Sequence, residues 1–158
     1  MAEQTLEQIL NQIVDDAEAI TTKMSVEDKA KITKAGANVF AKELEQVVKD
    51  KHYRHRKTGD DPHLADSIIV QNKNIDGIKN GSSVVGWNYS KSRVGHLIEN
   101  GTKFPMYTKA GHKYKHGGQV AVHADHFLRD LRSDQTIQEK MLKAEAAAYK
   151  KIIDKRYK

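Results

Sequence analysis

Long runs of apolar residues at helical spacing occupy the two ends of this chain, and β-branched runs lie between them. That order restricts the fold more than any other feature. From about residue 5 to residue 23, Leu6, Ile9, Leu10, Ile13, Val14, Ala17 and Ile20 fall on one helical face, with Asp15, Asp16 and Glu18 outside it. Ser25 is placed to cap a second helix, with Asp28 three positions on in a capping-box arrangement that replaces the usual Glu. This helix is expected to run to about Asp50, with Ile32, Val39, Phe40, Leu44, Val47 and Val48 on its apolar side. Gly36 lies near that side, where it would allow another backbone to approach. Two amphipathic helices with a short join predict a helical hairpin over residues 1–51.

The middle of the chain reads differently. Ile68-Ile69-Val70 and Val84-Val85-Gly86-Trp87 have the composition of strands, and Asp76-Gly77 and Asn80-Gly81 between them are turn signals. They are expected to pair as an antiparallel hairpin, with Ile75 to Ile78 as a short extra segment and Trp87 anchoring the sheet against a helix. Ser92 is expected to cap a short helix from Arg93 to about Asn100, carrying Val94, Leu97 and Ile98 and stopped by Gly101. Gln119-Val120-Ala121-Val122 reads as a further strand. Asp125 then caps a helix over residues 125–157, with a break near Ser133-Asp134. Helices, then strands, then helix predict an α+β fold with segregated elements. One domain covers residues 1–158, with sheet, short helix and loop in residues 64–124.

Composition bounds the function. The apolar share is 38% and the mean hydropathy is −0.72, so a partner or further copies of the chain are expected to complete part of the apolar surface. The net charge of +6 favours polyanions without specifying one. The chain has no cysteine, which excludes disulfides, thiol catalysis and thiolate metal sites. No apolar run is long enough to span a bilayer, and the acidic, amphipathic start is unlike a secretory signal. A protein made and kept soluble in a cytoplasm is expected.

Catalytic signatures are absent from the sequence. There is no Gly-x-Ser-x-Gly elbow, no Gly-Lys-Ser/Thr phosphate loop and no His-Glu-x-x-His pattern. His112 and His116 are four apart, but Gly111, Gly117 and Gly118 argue against a helix that would align them. A zinc site from His123, Asp125 and His126, or a His-dependent nuclease, lacks supporting spacing. A non-enzymatic binding or structural protein without a cofactor is the expectation.

Two stretches carry that expectation. Residues 49–57 form the densest basic run, with Tyr53 between cations. Arg54, Arg56 and Lys57 are candidates for phosphate contact, against the plainer reading of a solvated helix end whose cations complement the helix dipole. Residues 103–118 form a long loop with Lys103, Lys109, Lys113 and Lys115, interleaved with Phe104, Met106, Tyr107 and Tyr114. No acidic residue occurs from 103 to 124. A loop of this length in a small domain is functional or disordered. Either it orders against a partner, burying Phe104, Met106 and Tyr107, or its lysines face DNA. At its base, Gly101 permits a positive φ, Thr102 can bond the turn, and Glu99 is expected to pair with Arg129 or with a neighbouring copy's lysine.

Several of these segments also resemble a known family. VGHLIENGT, from Val94 to Thr102, is similar to the apolar helix, Glu and Gly-Thr signature of the neck proteins of long-tailed bacteriophages, which join head to tail or complete the tail. Ala124-Asp125-His126-Phe127-Leu128-Arg129 resembles the family's Ala-x-x-Phe-Leu-Arg opening of a C-terminal helix. The family often has His-Pro before the Phe and Pro after the Arg, where this chain has Asp125-His126 and Asp130. Upstream, residues 63–68 and Val85-Gly86-Trp87 resemble the family's strand entry and strand. The resemblance covers residues 64–131 and marks Glu99, Gly101, Thr102, Phe127, Leu128 and Arg129 as the loop-base motif. It implies a virion protein at the capsid–tail neck, assembled in the host cytoplasm as a ring homo-oligomer. The implied partners are connector or head-closure proteins and tail-terminator proteins, with non-specific contact to packaged DNA and none to membrane. The alternative is a basic nucleic-acid-binding domain without a virion role.

Overall fold

The computed structural model describes residues 11, 24–53, 62–102, 110, 112 and 122–156. The first arm of the expected hairpin, residues 5–23, lies outside them apart from Asn11. Helix α1 spans Val26–His52. Ser25 caps it as the sequence predicts, its hydroxyl accepting from the Asp28 N–H at 3.1 Å. Acidic Glu27 and Asp28 sit in the first turn, and basic Lys49, Lys51 and His52 in the last, matching the helix dipole at both ends. Of the expected apolar face, Phe40, Leu44 and Val48 are buried.

A short 3-10 turn, Ala65–Ser67, leads into strand β1, Ile68–Gln71, which pairs antiparallel with β2, Val84–Trp87. The register sets Ile68 opposite Trp87 and Val70 opposite Val85. Residues 75–78 form a turn rather than extra strand, because Asn74 folds the backbone over itself: its side-chain oxygen accepts from the Ile78 N–H at 2.8 Å. The two turn signals hold, with Gly77 and Gly81 both at positive φ.

Helix α2 spans Tyr89–Asn100 and begins earlier than the apolar pattern implies. Asn88 is its cap, accepting from the Lys91 N–H at 3.1 Å. Ser92 instead lies inside the helix and bonds back to the Tyr89 carbonyl. The expected C-terminal helix is two helices, α3 over Phe127–Ser133 and α4 over Gln135–Arg156. They part at the predicted Ser133-Asp134 position, where the Asp134 carboxylate accepts from the Thr136 and Ile137 N–H groups at 2.8 and 3.3 Å and so starts the second helix.

The result is an α+β fold. Helix α4 folds back along α1 in the opposite direction, with Lys140 paired to Glu43 at 2.7 Å and Glu145 packed on Gly36. The close approach at Gly36 is therefore to a side chain, not to a backbone: a Cβ there would run into the Glu145 carboxylate. Burial pushes the pKa of that carboxyl group up. Phe40, Leu44, Val48, Leu64, Phe127, Leu131 and Ile137 form the core between the helices and the strand pair. Trp87 sits where sheet and helices meet. Its ring lies edge-on to Phe127 at 6.0 Å, and Gly95 of α2 makes room for it, since a Cβ there would come within 2.6 Å of the indole.

Candidate functional site

The end of α2 and the start of α3 meet at one side chain. Glu99 is in the last turn of α2, where the helix dipole disfavours a negative charge. It is nevertheless buried, at 8% exposure. Its two carboxylate oxygens accept from the backbone N–H groups of Leu128 at 2.8 Å and Arg129 at 3.0 Å. Those are the second and third residues of α3, whose N–H groups a capping side chain normally takes. The residue at the cap position, His126, is in the left-handed region at φ 52° and makes no side-chain cap bond. Glu99 thus caps a helix other than its own, and the positive end of α3 is the favourable place for its charge. The expected pairing with Arg129 runs through that residue's backbone, while its guanidinium pairs with Asp130 at 3.2 Å.

A second set of bonds ties the chain on either side of residues 103–121. The Thr102 N–H donates to the Val122 carbonyl at 2.9 Å, and the Val122 N–H donates to the Thr102 hydroxyl at 2.9 Å. The Asp125 and His126 N–H groups donate to the carbonyls of Ile98 and Glu99 at 3.1 and 3.2 Å. Gly101 sits inside this clasp at φ 72°, and a Cβ there would lie 2.8 Å from both the Val122 carbonyl oxygen and the Ala124 nitrogen. Only glycine satisfies both the backbone conformation and the space. Residues 102 and 122 are therefore pinned to each other.

Asp125 fastens this clasp to α1. The sequence assigns it the capping of the last helix, but its carboxylate instead reaches Lys51 Nζ at 3.0 Å and His52 Nε2 at 2.9 Å. The hydrogen bond from Lys51, and after it that from His52, holds the carboxyl below its ordinary value of 3.8. The His52 ring in turn packs 5.3 Å from Phe127. A group whose folded pKa is depressed adds stability above its unfolded pKa and loses it as pH falls through the folded one. Asp125→Asn is therefore expected to flatten the acid limb of a stability–pH curve below about pH 4. At neutral pH its cost should stay near 0.5–1 kcal/mol, roughly the worth of a partly exposed pair, and shrink in high salt. Urea melts from pH 2.5 to 7 at two salt concentrations measure this, and parallel curves for the two proteins would count against the role given to the ion pair.

The loop-base residues Glu99, Gly101, Thr102, Phe127, Leu128 and Arg129 are thus brought together around one junction. Phe127 is in the core at 2% exposure, Leu128 is half-buried beside it, and Arg129 is exposed. Lys103, Phe104, Met106, Tyr107, Lys109, Lys113, Tyr114 and Lys115 lie outside the described residues, as do Arg54, Arg56 and Lys57 and the expected strand at 119–122, apart from Val122, which is not in a strand. The structure does place the points from which both basic stretches depart next to each other, through Lys51 and His52 on one side and Asp125 on the other. The pairing of Asp125 with α1 was missed because it joins residues 73 and 74 positions apart. The one signal for the Glu99 cap was a carboxylate at the wrong end of its helix. Among the described residues, no group of three or more His, Asp or Glu side chains is arranged to hold a metal ion, and no helix is long and apolar enough to cross a membrane.

Residues 11–101, more than half of the 158-residue chain, match the family profile HK97-gp10_like, described as "Bacteriophage HK97-gp10, putative tail-component". No curated protein and no solved structure matches the chain.

Proposed function

The chain belongs to the bacteriophage HK97-gp10-like family of tail components, and from that premise we propose that it is a neck protein, joining capsid to tail in a long-tailed phage. It acts by self-association into a ring and by docking to the connector or head-closure proteins on one side and tail-terminator proteins on the other. Its place is the neck of the virion, reached by assembly in the host cytoplasm.

The observation that carries this reading is the clasp. Thr102, Val122 and Glu99 fix both ends of an acid-free, lysine- and aromatic-bearing segment at a single junction. An anchored base with a long segment beyond it suits an element that orders between neighbouring copies, since the base contributes no ordering cost on assembly. The adjacent end of α1 adds cations to the same side of the molecule. In a ring, lysines facing the central channel would meet passing DNA through its phosphates, without sequence preference.

The decisive experiment removes the protein from the phage. Infection under conditions that deplete it should yield DNA-filled heads and complete tails that stay unjoined, restored to joined particles by adding the purified protein. Tails of altered length, or normal joined particles, would sink the neck assignment. Purified protein that neither assembles nor binds connector proteins across concentration, yet holds DNA with a steep salt dependence, would favour a nucleic-acid-binding role instead.

A further inference from the structure

Two strongly exposed apolar side chains sit together on the turn between β1 and β2. Ile75 is 92% exposed and Ile78 is 60% exposed. Turns favour polar residues and glycine at such places, and a loose turn could fold its apolar side chains away. This one is braced. The Asn74 N–H donates to the Ile78 carbonyl at 2.9 Å, the Gly77 N–H to the Asn74 carbonyl at 3.0 Å, and the Ile78 N–H to the Asn74 side-chain oxygen at 2.8 Å. Its base is tied to α1, where Thr33 Oγ1 donates to the Gly81 carbonyl at 2.8 Å. The turn therefore holds both isoleucines out as a preformed apolar knob. Lys73 and Lys79 flank it, and Asp76 lies between the isoleucines. Beside the knob, an apolar groove of about 560 Å³ runs between the strand pair, α1, α3 and α4. Phe40, Val85, Leu131 and Met141 line it, with Arg132 and Glu145 as its charged members. Glu145 has no hydrogen-bonding or ionic partner among the described residues, and its carboxyl is desolvated there. Ile75 itself lines the groove, so knob and groove belong to one surface patch.

We propose that a second copy of this chain covers the patch: the 74–78 turn of each copy seats in the groove of the other, in a two-fold pair. Three observations select this occupant. First, the shapes and polarity match, a convex apolar knob against a concave apolar groove. Second, the charges are complementary in both signs. The knob brings Lys73 and Lys79 to a groove that holds the unpartnered Glu145, and Asp76 to one that holds Arg132. Third, knob and groove lie side by side, which makes the patch self-complementary, the condition for an isologous contact. A ring contact instead joins two different patches and repeats around an axis. The pair is therefore not the ring but a closed form of the free protein, in which this apolar surface is shielded. It stands whether or not the protein enters a virion.

Sedimentation of the full chain across concentration should show a monomer–dimer equilibrium. Ile75→Asp combined with Ile78→Asp should weaken pairing by about a hundredfold or more, while the Trp87 emission and the melting temperature of the monomer hold, because both side chains are exposed in a single copy. Lys73→Glu combined with Lys79→Glu should weaken it about tenfold, and adding Glu145→Lys to that chain should restore it. The absence of native cysteine allows a crosslinking check. Ile75→Cys chains mixed with Met141→Cys chains should oxidise to a dimer containing one of each. Tyr89→Cys chains, whose cysteine lies beyond the other end of β2 at a site 98% exposed, should not be trapped by Met141→Cys chains. A protein that stays monomeric at high concentration, or a dimer that the isoleucine variant leaves unchanged, would overturn the proposal. So would equal trapping of both cysteine mixtures, or an assembly larger than two that depends on Ile75 and Ile78, since the contact would then be heterologous.

Discussion

Phe127→Ala is expected to destabilise the protein by about 3–5 kcal/mol, the cost of emptying a large, well-packed aromatic site. Phe127 is 2% exposed and lies in the core cluster with residues of α1, the strand pair and α4. Its ring faces the His52 ring of α1 at 5.3 Å and the Trp87 indole of β2 at 6.0 Å, and it opens α3. Removing it leaves a cavity that the clasp above cannot close, because the backbone at 125 and 126 is held to α2. For a domain of this size, each kcal/mol moves the melting temperature by about 2–4 °C, so the midpoint should fall by roughly 6–20 °C. Trp87 is the single tryptophan, and its emission should shift to longer wavelength in the folded variant as water reaches the indole. Phe127→Leu should recover about half of the loss, since much of the apolar volume returns. A loss below 1 kcal/mol for the alanine variant would show that the Phe-Leu-Arg stretch is not part of the core.

The sequence made Phe127 conspicuous, and the reasons generalise along the chain. Ser25, Gly101, the two strand turns and the Asp134 break are local devices: each is satisfied within a few residues, so local rules read them correctly. The start of α2 was misread because Tyr89, Ser90, Lys91, Ser92 and Arg93 offer no apolar period to mark it, while Asn88 caps it unseen. Asp125 was misread for the opposite reason: it has the right type and position for a cap, but Lys51 and His52 compete for it from a distant helix. Gly36 was recognised as a close approach, yet the identity of its neighbour, Glu145, is set by the packing of α4 on α1. The resemblance ran from residue 64 to 131, whereas the family match runs from 11 to 101 and stops at the clasp. Family membership therefore rests on the helix, the strand pair and α2, and the loop-base geometry is what joins that shared part to the C-terminal helices.

Glu99→Ala should undo that joint. It removes an acceptor from two partly buried N–H groups and a favourable charge from the positive end of α3. A lost cap costs about 0.5–2 kcal/mol and an unpaired buried donor about 1–3 kcal/mol, so a total near 2–4 kcal/mol is expected. Glu99→Gln keeps the shape and one acceptor oxygen and should lose about half as much, since the charge-assisted part is gone. The more telling effect is local. With α3 uncapped, the Ile98 and Glu99 carbonyl bonds to residues 125 and 126 are the next to open, and among the described residues the Thr102–Val122 pair is left as the remaining tie across the loop. Limited proteolysis at the lysines of residues 103–118 should then accelerate by more than the global stability loss explains. Phe127→Ala serves as the control, because it is destabilised at least as much while its Glu99 carboxylate can still reach the two N–H groups. Equal acceleration in the two variants at matched stability would mean that Glu99 merely contributes to the core. Selective acceleration in Glu99→Ala would make this carboxylate the latch that holds the loop's base closed.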